Sequence, residues 1–336
     1  MTRELFEHLA AGGTLSADAA AAVMGSIMDG EATPSQIGAL LMALTLRGET
    51  VDELAGFARA MRARATAVPV RRRPVLDTCG TGGDGSGSLN VSTLAAFVAA
   101  AAGIPVAKHG NRSVSSRSGS ADLLEALGIP MPTDPEAVGR LVDERGFAFL
   151  FAPAFHPSMR HAMPTRRELG IRTVFNLLGP LTNPAGAERQ LLGVYASRWV
   201  EPVARVLSQL GTERALVVHG NGWDEVALTG PTVVAEVDGP TVRTYEVTPE
   251  QFGFRRVHPD QLRGGDPATN ARLAEAVLEG EPGPLADFVA LNGGFALYAG
   301  GAVPSPAAGV AEARRLLQSG AVARLVRTLR DGGARP

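Results

Sequence analysis

Up to about residue 65 the apolar positions recur at helical spacing only, in segments closed by small polar caps and glycines. "SADAAAAVMGSIMDG" opens on Ser16 and stops at Gly30. "TPSQIGALLMALTLRG" has Thr33 as cap and Pro34 in its first turn, and stops at Gly48. "TVDELAGFARAMRARA" joins Thr50 and Glu53 as a capping box. The pattern predicts four short helices in a small all-helical unit. After Pro74 it changes to short apolar runs that predict strands at Val75–Thr78, Pro105–Ala107, Phe147–Phe151, Leu191–Tyr195, Ala215–Val218, Thr232–Val237 and Val242–Val247. Helical patterns lie between them, among them Ser92–Ala102, Ser120–Leu127, Pro135–Glu144 and Val200–Leu210. From Asp266 to Asp331 the pattern is helical again, broken at residues 282–284 and at Gly300-Gly301. The fold class expected is α/β: a small all-helical N-terminal domain, 1–70, and a large α/β domain, 71–336, with a mostly parallel central sheet. A helical segment near 160–185 is expected to join the small domain.

Composition narrows the classes without choosing among them. With 336 residues, 45% of them hydrophobic, the chain can bury a sizeable core, and its one cysteine, Cys79, excludes an internal disulfide and fits a reducing compartment. The N-terminal stretch has no secretory apolar region, and no run is long enough to span a bilayer, so a cytoplasmic protein without a membrane partner is expected. A net charge of −2 with no extended basic block predicts no nucleic-acid partner. Lys108 is the only lysine among 32 lysines and arginines, so a compact ammonium has been kept at one position in a chain that otherwise uses planar guanidinium groups.

Chemistry enters at "GTGGDG", residues 80–85, a match to the glycine fingerprint of dinucleotide-binding loops. That reading needs an acidic residue about twenty positions on, and the chain has "IPVAKHGNRS" there, basic and amide-rich. The lysine of a P-loop is missing as well. A phosphate cradle still fits: glycines 80, 82, 83, 85 and 87 are expected at positive φ, turning N–H groups toward an anion. "NVST", 90–93, adds an amide and two hydroxyls at a helix start. Asp84 would repel a pyrophosphate unless something bridges the two. A second loop, "KHGNRSVSSRSGSAD" at 108–122, brings a cation, an imidazole, an amide and hydroxyls to another strand end. Two such loops predict a site for a highly phosphorylated small molecule.

Two further stretches complete the set. "HGNGWDEVALTGPT" places Asp224 beside Glu225 in a glycine-flanked loop, the one or two carboxylates that magnesium takes alongside water and substrate phosphates. "TRRELGIRTVFNLLGPLTNPAG" offers Arg166, Arg167 and Arg172, any of which could clamp a substrate carboxylate.

Taken together and in this order, "DTCGTGGDG", "NVST", "KHGNRSVSSRSGSAD", "RRELGIRTVFNLLGPLTNP" and "DEVALTGPT" resemble the anthranilate phosphoribosyltransferases over nearly the whole chain. The resemblance implies an active site in a cleft between the two domains and a homodimer formed through the helical domains. It implies that phosphoribosyl pyrophosphate (PRPP) is bound by Gly80, Gly83, Asp84, Ser88, Asn90, Val91, Ser92 and Thr93. Lys108, His109, Gly110, Asn111, Arg112, Ser113, Val114, Ser115, Ser116 and Ser120 would complete that site. Gly80, His109, Asn111 and Arg166 would meet anthranilate, with Arg166 on its carboxylate, and Ser92, Asp224 and Glu225 would hold Mg2+. Lys108, Arg166, Asp224 and Glu225 would carry catalysis. Ser88-Leu89 stand where this family commonly has Thr-Phe, and Trp223 where a smaller residue is usual.

The implied reaction is displacement of pyrophosphate from C1 of the ribose by the anthranilate amine, a step in tryptophan biosynthesis. An aromatic amine is unprotonated at neutral pH and needs no strong base, in keeping with the lack of a Ser/His/Asp or Cys/His arrangement. A pyrimidine nucleoside phosphorylase-like enzyme is the nearest alternative, but that family relies on several lysines. A non-catalytic nucleic-acid-binding relative is another, and it should have a basic surface and a spoiled acidic pair.

Overall fold

The structure, a computed structural model, describes residues 1–113 and 117–331. It opens with α1 (Arg3–Ala10), α2 (Ala17–Met28), α3 (Pro34–Arg47) and α4 (Val51–Arg62). The caps read from the sequence are formed: Ser16 accepts from the Ala19 N–H, Thr33 pairs with Gln36, and Thr50 with Glu53 in reciprocal boxes. Glu53 does more than cap. Fully buried, it also accepts from the Leu15 N–H and both oxygens take Arg47, so one carboxylate fastens α4 to the turn before α2 and to the end of α3.

The larger part runs β1 (Leu76–Gly80), α5 (Val91–Ala101), β2 (Val106–Gly110), α6 (Ser120–Ala126), α7 (Pro135–Arg145), β3 (Phe147–Phe151), α8 (Ala152–Phe155), α9 (Met163–Leu169) and α10 (Val174–Leu178). It continues with β4 (Arg189–Gly193), α11 (Val200–Gln209), β5 (Arg214–Gly220), β6 (Thr232–Asp238) and β7 (Thr241–Val247). Four helices finish it: α12 (Pro267–Leu278), α13 (Pro284–Ala299), α14 (Pro306–Gln318) and α15 (Ala321–Arg330). The seven strands form one sheet in the order β3-β2-β1-β4-β5-β6-β7, parallel from β3 to β5 and antiparallel at β6 and β7. The fold is thus α/β with a small helical N-terminal part, as the alternation predicts. Boundaries differ where glycine reads as loop: β1 and β2 run on to Gly80 and Gly110, and β4 lies two residues before the predicted Leu191–Tyr195.

Side chains alternate across the sheet. Leu191, Leu216, Val218 and Val234 enter one core with α5 and α12 to α15, while Leu192, Val217, Ala235 and Val237 enter another with α11. That second core runs without a break into α2, α3 and α4, so the helical unit shares its packing with one face of the sheet. Helices α9 and α10 pack back on α3 and α4. The Ala-rich α5 is buried along almost its whole length. It lies so close to α13 that a Cβ on Gly293 would come within 3.0 Å of the Val98 side chain.

The chain leaves β1 toward β2 and β3, then returns to build β4 and β5 on the opposite side. The carboxyl ends of β1 and β4 therefore bound the crevice where strand order reverses, the place at which open parallel sheets bind ligands.

Candidate active site

The two strand ends at this crevice are glycines paired in register, Gly80 on β1 and Gly193 on β4. Asp224 lies over both: a Cβ on Gly80 would overlap its carboxylate, and one on Gly193 its carbonyl. Gly80 is accordingly not at positive φ, contrary to the expectation above. It is a strand residue kept small by its neighbour. Gly82, Gly83, Gly85 and Gly87 do have positive φ, between 60° and 75°. The N–H groups of Gly83, Asp84, Gly85 and Gly87 donate to no protein group among the described residues, which leaves four donors in one turn for an anion. Asp84 shapes this turn from inside, accepting from the Ser86 N–H and hydroxyl at 3.0 Å each. The Ser86 and Ser88 hydroxyl oxygens lie 3.2 Å apart, within hydrogen-bond reach. At the start of α5, Asn90 caps nothing in its own helix, and Thr93 is fully buried with its hydroxyl unpartnered.

Three carboxylates gather over this loop. Asp224 accepts from the Gly82 N–H at 2.8 Å and donates its own N–H to Asp84 at 3.3 Å, with Glu225 next to it. Burial, then the Asp84 charge, pushes the Asp224 carboxyl up to about 7. Burial, then the Asp224 charge, holds Glu225 well above the usual carboxylate range. The cation facing them is Lys108, 1% exposed, whose Nζ donates to the Thr78 carbonyl and reaches the Ser92 hydroxyl at 3.4 Å. Burial lowers its pKa while Asp77, Glu225 and Asp224 oppose that shift. Among the described residues no three His, Cys, Asp or Glu side chains form a closed metal cage. The residues present fit a cation shared between protein carboxylates and a phosphorylated ligand, since mutual repulsion among buried carboxylates is what a divalent ion relieves. Trp223 does not crowd the pair: its buried indole packs edge-on against Phe288, with centroids 5.8 Å apart.

Lys108 reaches this position because β1 and β2 separate. They pair at Leu76–Val106 alone, and side chains fill the opening beyond. Buried Asp77 accepts from the His109 N–H at 3.0 Å and from Asn183 at 2.8 Å, while Asn183 also donates to the Ala107 carbonyl. Burial raises Asp77 to about 6 against the pull of Lys108.

On the second loop, Gly110 ends β2, Asn111 is exposed and accepts at its side chain from the Arg112 N–H, and Ser120 begins α6. Arg112 points its guanidinium at Asp122 and Glu125, so its charge is already paired. Asp122, unremarked in the sequence, also accepts from the Ser113 and Gly119 N–H groups and holds both ends of the loop. Val114, Ser115 and Ser116 lie outside the described residues.

The helical side supplies the rest. Arg166 is half-buried over the Phe175 ring at 4.9 Å, with no acidic partner among the described residues, and burial lowers its pKa. Arg172 stacks on Tyr195 at 4.8 Å and donates to the Gly83 carbonyl, tying this side to the glycine turn; Arg167 is exposed. His109 and His156, both buried, lie with ring centroids 5.1 Å apart. Burial, and for His109 the neighbouring His156 ring, lowers them to about 3 and about 4, so both rings are neutral. The Nε2 of each ring is buried without a protein partner among the described residues. His156 is silent in the sequence: a lone histidine in "AFHPS" carries no motif. So is Asn292, buried in α13, which bonds both the N–H and the carbonyl of Val226 at 3.0 Å and so anchors the acidic loop.

Residues 72–323 match the a/b domain of the glycosyl transferase family, and residues 3–65 its helical bundle domain. An anthranilate phosphoribosyltransferase of Bradyrhizobium sp. is 53% identical over 322 residues, 96% of this chain and 95% of the relative. The crystal structure of the Thermus thermophilus enzyme of that name superposes with a TM-score of 0.92 at 52% identity, covering 97% of this chain and 98% of the other. The Saccharomyces cerevisiae enzyme in complex with PRPP and Mg superposes at 0.89 with 28% identity, covering 98% and 96%.

Proposed function

The chain belongs to the anthranilate phosphoribosyltransferases of the glycosyl transferase family, and from that premise we propose that it joins the amine of anthranilate to C1 of PRPP, releasing pyrophosphate, in tryptophan biosynthesis. The observation that carries this reading is Asp224 seated over the paired glycines Gly80 and Gly193 at the strand-order reversal, beside a turn with four N–H donors that have no partner among the described residues.

The glycine turn, with Asn90 to Thr93, takes the pyrophosphate and phosphoribosyl oxygens. Asp224 and Glu225, with Ser92 and Asp84 close by, would hold Mg2+; that the yeast relative was solved in complex with PRPP and Mg supports a magnesium requirement. Magnesium bound there supplies charge neutralisation for the leaving pyrophosphate. Lys108, desolvated beside Ser92, adds a fixed positive charge that needs no reorganisation as negative charge develops. Arg166 takes the anthranilate carboxylate and turns the amine toward C1. The neutral His109 ring, with His156 against it, borders the acceptor side of the site. As the N–C1 bond forms, the C1–O bond breaks and its electron pair leaves with pyrophosphate; the new nitrogen centre then sheds its proton. Positioning and charge stabilisation carry the rate, with no covalent intermediate.

A homodimer through the helical unit, on which Leu46 is 81% exposed, and a cytoplasmic location belong to the same proposal. No helix among the described residues is long and apolar enough to cross a membrane. Product analysis tests the reading: PRPP, Mg2+ and anthranilate should give N-(5-phosphoribosyl)anthranilate by mass. Phosphate-dependent cleavage of a pyrimidine nucleoside instead would favour the phosphorylase alternative.

A further inference from the structure

Residues 262–265 lie along the donor turn like a short added strand. The Leu89 N–H donates to the Leu262 carbonyl at 3.1 Å, Ser88 bridges Arg263, and the Gly264 N–H donates to the Gly87 carbonyl at 2.9 Å. Immediately after, Asp266 caps α12 by accepting from the Thr269 N–H, which sets Asn270 in the first turn. Asn270 is 2% exposed. Its side chain packs so near the covering segment that a Cβ on Gly264 would stand 2.5 Å from its oxygen.

The hydrogen bonds from there run in one direction. The Gly265 N–H donates to Asn270 Oδ1 at 2.6 Å, Asn270 Nδ2 to Asn90 Oδ1 at 2.9 Å, and Asn90 Nδ2 to the Ser118 carbonyl at 3.0 Å. A backbone N–H can only donate and a backbone carbonyl can only accept, so the two ends of the relay fix the orientation of both amides. The Ser118 hydroxyl, donating to the same Asn90 oxygen at 3.4 Å, agrees with that orientation. Asn90 stands at the start of α5, between the glycine turn and the second loop. Its half-buried amide nitrogen has a second hydrogen beyond the one given to Ser118.

We propose that Asn270 is a positioning residue for donor binding: it holds the Asn90 amide with its nitrogen toward the phosphate loops and locks the two loops together before PRPP arrives. The proposal rests on the reading that the β1–α5 turn holds PRPP. Asn270 touches no substrate; it acts through Asn90.

A double-mutant cycle tests it, with PRPP binding followed by calorimetry and the two KM values by steady-state kinetics, and melting temperatures taken on each variant. Asn90→Ala should raise the KM for PRPP roughly tenfold, the scale of one lost buried polar contact. Asn270→Ala should do about the same without moving the KM for anthranilate, and the double variant should be no worse than Asn90→Ala alone. Asn270→Asp places a carboxylate oxygen where a donor stood, and should weaken PRPP binding even if its melting temperature is unchanged. Additive losses, or an Asn270→Ala variant that melts lower while binding PRPP normally, would reduce Asn270 to a structural role and overturn the proposal. Normal PRPP binding by Asn90→Ala would instead overturn the donor-site reading, and this proposal with it.

Discussion

The His109 and His156 rings, 5.1 Å apart and tilted by 53°, form a neutral buried pair at the junction of β2 with the helical side of the site. Burial first, and for His109 the neighbouring ring next, lowers them to about 3 and about 4. In the unfolded chain both take protons near pH 6.5, so protons bind the unfolded state first and stability falls as pH drops from there toward 4. Replacing His156 by Phe removes one of these protons. Between about pH 6 and 5 the acid-side loss of stability should become shallower, by up to about 1.4 kcal/mol per pH unit. Chemical denaturation across that range checks it; an unchanged slope would mean the ring is charged in the folded protein.

Arg166 has a ring beneath it and no counter-ion among the described residues. Arg166→Ala should raise the KM for anthranilate by about ten- to a hundredfold, from the roughly 1.5–3 kcal/mol of a charged hydrogen bond, and spare the KM for PRPP. Equal weakening of both substrates in initial-rate kinetics would remove it from the acceptor site.

Much of this architecture was legible in local chemistry. Thr33 and Thr50 announce their helices because a cap is a contact over three residues, and β3 was placed to the residue because "FAFLF" is bounded by Gly146 and Pro153. What the sequence could not convey is contact across the chain. Gly80 reads as a flexible loop glycine, but its smallness answers to Asp224, far along the chain. Asn270 and Asn292 look like ordinary helix residues, and no local pattern reveals the distant groups they bind, Asn90 and Val226. Arg112 stands in a phosphate motif, yet Asp122 and Glu125 hold its charge, an ion pair made through folding of α6.

Lys108 threads the opening between β1 and β2 with its head fixed by Thr78 and Ser92. Lys108→Arg keeps the charge but brings a wider planar head into a fully buried slot, where overpacking costs about 1–3 kcal/mol. Turnover should fall by at least about tenfold, with a lower melting temperature. Wild-type turnover would mean that the lone lysine is a compositional accident.

Gly193 leaves room for the Asp224 carbonyl. Gly193→Ala should push the acidic loop away, costing about 1–3 kcal/mol of stability by overpacking. The Mg2+ concentration for half-maximal rate should rise, while the anthranilate KM holds. A variant with normal metal dependence would show that the close approach of these strands to Asp224 has no part in metal binding.

The most direct test of the proposed reaction follows anthranilate fluorescence in the presence of PRPP, with and without Mg2+, while pyrophosphate is counted in parallel. Magnesium-dependent loss of anthranilate is expected, with one pyrophosphate released per molecule consumed. A folded protein that consumes no anthranilate, or consumes it without releasing pyrophosphate, would contradict it.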